Sequence, residues 1–251
     1  MIPIGPDVVL SVFLLFCRIG GCLMLVPGFS SPRVPAQIRL FVAIAITLAL
    51  TPLLLPNVIN TVSSSQPDSL LLSIVAETLT GIFIGLLSRI FFLALQFMAT
   101  AVASFVGYSG FPETAIEEAE PSPALASLIT LTATVLFFVT DLHWEVLRGL
   151  VRSYAVIPVN EPIANDLGLS RLADATSDAF VLALQISSPF IVYAFAIHMA
   201  FGIVNKLTPQ IPVYFISLPF VIFGGLILMT FVIGDFLLLF LDGVSGWLMR
   251  G

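Results

Sequence analysis

Arg18, Glu77, Arg89 and Asp235, with Gln96 as a polar neighbour, stand inside long apolar runs of this 251-residue chain. A charge among apolar residues is costly in lipid unless it is paired, hydrated or used, so such positions are functional candidates first. Two chemistries are open to them. Glu77 or Asp235 could take up a proton or a cation, as in a transporter. Either acid could instead pair with an arginine and hold helices or subunits together. Glu77 and Arg89 cannot pair with each other within one straight helix, because twelve residues span about 18 Å of helix.

No catalytic set accompanies these residues. The sequence has no GxSxG, HExxH, CxxC or phosphate-loop motif. His143 and His198 are isolated; His198, in an apolar run, reads as a hydrogen-bonding group between helices, with a ligand or proton-relay role as the alternative. Cys17 and Cys22, the two cysteines, are five residues apart and point to different helix faces, so they read as small packing residues rather than a disulfide or metal pair. No enzyme, cofactor or metal ion is expected. Glycines form a further set: Gly81 and Gly85 at GxxxG spacing, Gly20 beside Gly21, and Gly224 beside Gly225. Small residues let membrane helices approach closely.

The elements that must position these residues are apolar segments. The chain is 59% hydrophobic and 10% charged, against roughly 25% charged in soluble domains. A soluble fold of this size could not hide that much apolar surface in one core, whereas lipid can solvate it. The net charge of -6 gives no footprint for nucleic acid. Met1 to Asp7 carries no Lys or Arg, so the first apolar run is expected to stay as a membrane helix rather than act as a cleaved signal. An all-α integral membrane protein follows, with about six long hydrophobic helices, some kinked or broken.

The segments run over about 8–26, 36–55, 70–106, 124–140, 172–206 and 213–248. The second is expected to end at Pro56, followed by a polar linker to Ser69. The third is too long for one crossing. It is either one protruding helix or two pieces broken near Gly81 and Gly85. The fourth continues into a more polar helical stretch, 141–157, and 158–169 reads as a loop. Pro189 is a candidate kink in the fifth. Lys and Arg do not set an orientation. With the N-terminus outside, Arg33, Arg39 and Lys206 lie inside, while Arg148, Arg152, Arg171 and Arg250 lie outside. That balance fits a serpentine poorly and suggests assembly with partners. The stretch 107–123 interrupts the apolar pattern with Gly, Pro and four glutamates around Tyr108, Phe111 and Ile116. It is either a solvated acidic loop or a loop that closes a pore.

Three blocks in order resemble the FliR family of bacterial flagellar type III export-gate proteins. They are Phe16-Cys-Arg-Ile-Gly-Gly21 with Val26-Pro-Gly-Phe-Ser30 and Val34-Pro-Ala-Gln-Ile-Arg39; then His143 to Pro158; then Asn205-Lys-Leu-Thr-Pro-Gln-Ile-Pro212 followed by Pro219 and Gly224-Gly225. The middle block departs from the family's usual Asn-Gly before the His, reading Thr140-Asp-Leu-His143. The resemblance covers nearly the whole chain and implies a specific plan. Residues 1–165 would be a FliP-like helical part, and 166–251 a FliQ-like helix hairpin joined at Lys206, Pro209, Gln210 and Pro212. The loop 107–123 would be a plug, with Tyr108, Phe111 and Ile116 as its sealing residues and Phe111 foremost. Partners would be FliP-like and FliQ-like subunits, FlhB-like and FlhA-like gate proteins, exported unfolded proteins and membrane lipid. The place would be the bacterial inner membrane at the flagellar basal body. The SctT-type subunit of a virulence injectisome shares this plan and stays open, as does, further off, a small proton-coupled transporter using Glu77 and Asp235.

Overall fold

The structure is a computed structural model describing residues 5–31, 34–63, 67–108, 123–159, 165–210 and 213–250. Among the described residues there are seven α-helices and no strand. They are α1 (Pro6–Leu23), α2 (Ala36–Ser63), α3 (Pro67–Phe105), α4 (Ala124–Val139), α5 (Leu142–Val156), α6 (Asn165–Leu207) and α7 (Val213–Arg250). Five are long and apolar enough to cross a bilayer, and α4 with α5 makes a sixth if that bent pair counts as one span.

Local chemistry explains most of the boundaries. Pro6 opens α1 at the position where a missing N–H costs nothing, and Asp7 complements the helix dipole in the first turn. The connector after α1 turns at Gly28, whose φ of 87° suits glycine, and Arg39 closes it by donating to the carbonyls of Val34 and Ser31, each at 2.9 Å. The α4–α5 break is a bend of 67° at Thr140-Asp141. Asp141 takes the left-handed conformation (φ 60°), which Asp tolerates better than most residues. Hydroxyls inside the apolar helices are satisfied by the helix itself: Thr47, Thr78, Thr80 and Thr134 each donate to the carbonyl four residues back. No backbone or water partner is then needed from the membrane interior.

Two boundaries, in α2 and α6, differ from the sequence expectation, and α3 takes the first of its two alternatives. Helix α2 runs past Pro52 and Pro56 to Ser63. Leu54, Leu55 and Val58 are buried on its inner face, and that packing carries the helix through the prolines. Helix α3 is one unbroken element of 39 residues, about 58 Å long, so its glycines are contact points rather than breaks. Helix α6 begins at Asn165, inside the stretch that reads as a loop, on residue types that favour helix starts. It is continuous through Pro189.

The chain packs as two compact units. One comprises Met1–Ile90, Asp141–Thr176 and Leu248–Gly251; the other comprises Phe91–Thr140 and Ser177–Trp247. In the first, α1 packs along α2 over a core of Leu14, Leu15, Ile19, Ala43 and Leu54. The second is built on aromatic edges. Phe92 stands edge-on to Phe137 at 5.5 Å and to Phe240 at 5.2 Å, and Phe190 stands edge-on to Phe236 at 6.5 Å. Here α6 and α7 form an antiparallel pair, with Leu182 against Gly243, Phe190 against Phe236 and Tyr193 against Val221. Only 22% of the most apolar stretch of α7 is buried, which leaves long apolar faces for lipid or for other proteins.

Candidate functional site

Arg18 and Glu77 meet. Both are fully buried, and they form a two-pronged ion pair between α1 and α3: Nε of Arg18 donates to one carboxylate oxygen and Nη2 to the other, each at 2.6 Å. Two groups at the end of α5 complete the site. Nη1 donates to Oγ of Ser153 at 3.2 Å, and both Nη1 and Nη2 donate to the carbonyl of Ile157 at 3.1 Å. All five guanidinium N–H groups are thereby used. The Tyr154 ring lies against the guanidinium at 4.1 Å, a cation–π contact in a site closed to water.

Each partner is presented for a local reason. Ile157 precedes Pro158, which disfavours helix at the residue before it, and Ile157 is extended (φ −123°, ψ 91°). Its carbonyl therefore lies outside the helical ladder and can accept from Arg18. Ser153 donates its own proton to the Leu150 carbonyl at 2.6 Å, leaving a lone pair for Nη1. The ion pair sits where two helices nearly touch. A Cβ on Gly81 would lie 2.0 Å from the Arg18 carbonyl oxygen, one on Gly85 2.5 Å from that of Cys22, and one on Gly21 2.9 Å from that of Thr78. Residue 81 faces 18 and residue 85 faces 22, so α1 and α3 run the same way along this seam. Close backbone approach brings Glu77, one turn before Gly81, within reach of Arg18. The pair and its hydrogen bonds thereby tie α1, α3 and the end of α5 together.

The remaining sequence candidates fall elsewhere. Gly20 is buried, yet a Cβ there would meet only Phe16 of its own helix at 3.8 Å. Gly224 makes room for the Tyr193 hydroxyl, which donates to the Val221 carbonyl at 2.8 Å, and Gly225 makes room for the Val106 side chain. Tyr193→Phe is expected to cost about 1 kcal/mol, read as a small fall in the thermal midpoint in detergent. An unchanged midpoint would show that the hydroxyl contributes nothing to the hairpin. Arg89 is half-buried, and Gln96 and Asp235 are exposed; none joins the Arg18 site. His198 is exposed on α6 and His143 is half-buried on α5. Lys206, Pro209 and Gln210 lie exposed at the α6–α7 connector. Tyr108 is half-buried just past the end of α3, while Phe111, Ile116 and Pro212 lie outside the described residues. Among the described residues no three His, Cys, Asp or Glu side chains gather to hold a metal ion. Ser153, Tyr154 and Ile157 are site residues that sequence reasoning passed over. The signal for them is the proline stop at 158, which frees a carbonyl beside a hydroxyl on an otherwise apolar helix face.

Comparison with known proteins places this geometry in a family context. The model of a family described as bacterial export proteins, family 1, matches residues 9–246. The chain is 25% identical to the flagellar biosynthetic protein FliR of Caulobacter vibrioides over 229 residues, covering 91% of this chain and 90% of that protein. It is 25% identical to FliR of Escherichia coli over 215 residues, covering 85% and 80%. Against FliR of Aquifex aeolicus it is 25% identical over 227 residues, covering 90% and 86%.

Proposed function

The chain belongs to the bacterial export proteins, family 1, and on that premise we propose that it is a structural subunit of the flagellar type III export gate. In this reading it joins FliP-like and FliQ-like subunits in the bacterial inner membrane at the flagellar basal body. Together they form and seal a pore for unfolded proteins, beside FlhA-like and FlhB-like gate proteins. The observation that carries the reading is the family match over nearly the whole chain, with relatives that are flagellar biosynthetic proteins. The subunit does no bond chemistry; the energy for export comes from other components.

The plan carried by the resemblance divides the chain into a FliP-like part, 1–165, and a FliQ-like hairpin, 166–251. The antiparallel packing of α6 on α7 supports a hairpin. The loop 107–123 is the plug, with Phe111 as its principal seal, since bulky apolar side chains block and dewet a narrow channel. The base of that loop is fixed: Val106 is fully buried against Gly225, and Gly107 takes a φ of 76° that lets the chain leave α3 sharply.

Deletion of Tyr108 to Glu120 in the assembled complex is expected to raise ion leak and slow growth. The check is membrane conductance in cells carrying the deletion, with the complex recovered intact. Unchanged leak in an intact complex would remove the plug assignment. A wild-type chain that purifies without FliP-like or FliQ-like partners would overturn the export-gate reading itself.

A further inference from the structure

Asp235 is an exposed carboxylate in an apolar helix. It lies near the middle of the apolar stretch Phe215–Met249 of α7, and it is exposed. Among the described residues it has no ion pair or side-chain hydrogen bond. An ionised carboxylate in an apolar helix is costly against lipid tails, which favours a group other than lipid facing it. Its helix face is otherwise largely apolar and exposed. Phe231, Leu238 and Asp242 follow the same stripe at helical spacing, with Phe231 80% and Leu238 62% exposed. Gly234, beside the acid, has open space where a Cβ would be, so another backbone can come close.

We propose that this face of α7 docks an apolar helix of a different subunit carrying a single Lys or Arg near its middle, which pairs with Asp235. Charge selects the occupant. A second copy of this chain in a symmetric contact would set the same acidic face, with Asp235 and Asp242 and no base, against itself. Lipid phosphate is anionic too, and would repel the acid. A cationic side chain in an apolar partner helix answers the charge, and the aromatic and aliphatic neighbours supply the packing. This rests on the reading of the chain as a subunit of a hetero-oligomer.

The test uses the full-length tagged chain in its own cells. A photo-crosslinking amino acid at position 231 or 238 should give one protein adduct, mapped by mass spectrometry to an apolar segment with a Lys or Arg within a turn. Asp235→Asn and Asp235→Leu should reach wild-type levels in the membrane yet retain about tenfold less of that partner, the change expected for 1.4 kcal/mol. Asp235→Lys combined with an acid at the mapped base should restore retention. The pairing is overturned by adducts to lipid alone, by adducts to a segment without a base, or by full retention in the Asn and Leu variants. Ready labelling of Asp235→Cys by a water-soluble maleimide in intact membranes would also overturn it, because the face would then line water. If the wild-type chain retains no membrane protein at all, the export-gate reading falls too. If it retains partners and the variants retain them equally, only the pairing falls.

Discussion

Arg18→Met, with Glu77 left in place, is expected to destabilise the folded protein by about 3–5 kcal/mol, because a fully buried carboxylate then keeps its desolvation cost and loses its counter-charge. Glu77→Leu should cost a similar amount from the other side. The double variant Arg18→Met with Glu77→Leu should recover most of the loss, since replacing both members of a buried pair by apolar groups is often neutral. A residue of about 1–2 kcal/mol should persist, because the Ile157 carbonyl loses both of its N–H donors. Thermal unfolding of the four proteins in one detergent reads the whole cycle. A double variant as unstable as the singles would mean that the site contributes through packing and α5 anchoring, with the ion pair incidental.

Gly81→Ala is expected to do comparable damage by a steric route. The added Cβ would sit 2.0 Å from the Arg18 carbonyl oxygen and 2.8 Å from its carbon, and both are backbone atoms that no rotamer change can move. Helices α1 and α3 must separate by more than 1 Å, which stretches the 2.6 Å bridges one turn away. Overpacking alone costs about 1–3 kcal/mol, and the strained ion pair adds to it. Gly81→Ala should therefore be strongly non-additive with Arg18→Met, because the first change has already weakened what the second removes. Gly20→Ala is the internal control: its Cβ meets Phe16 at an ordinary 3.8 Å, and the thermal midpoint should barely move. Equal effects at positions 20 and 81 would contradict a tight α1–α3 seam.

These two sites mark how far the sequence could be read. The GxxxG spacing of Gly81 and Gly85 points to a close helix contact, because that spacing puts both residues on one helical face. It does not say which helix arrives, and Gly20 and Gly21 look equivalent until the structure turns Gly21 toward α3 and Gly20 toward its own helix. Likewise Arg18, Glu77, Arg89 and Asp235 stand out alike as charges in apolar runs. Their partners are separated by tens of residues in the chain, as with the 59 between Arg18 and Glu77, and spacing carries no information at that range. Prolines misled in one place: Pro56 reads as a stop, yet buried Leu54, Leu55 and Val58 hold α2 in helix beyond it.

By itself the sequence determined the class of this protein. Apolar runs of bilayer length and few charges mark a helical membrane protein, because those features depend only on composition and local periodicity, while the export family comes from the resemblance of the ordered blocks around Arg18, His143 and Asn205. The tertiary structure alone decided which charges meet and which stay exposed. It closes Glu77 onto Arg18 beneath the end of α5, where every N–H is used, and it leaves Asp235 open on the outer face of α7. The physical reason is that the cost of a charge in an apolar setting is set by what surrounds it in space, and only folding brings those surroundings together.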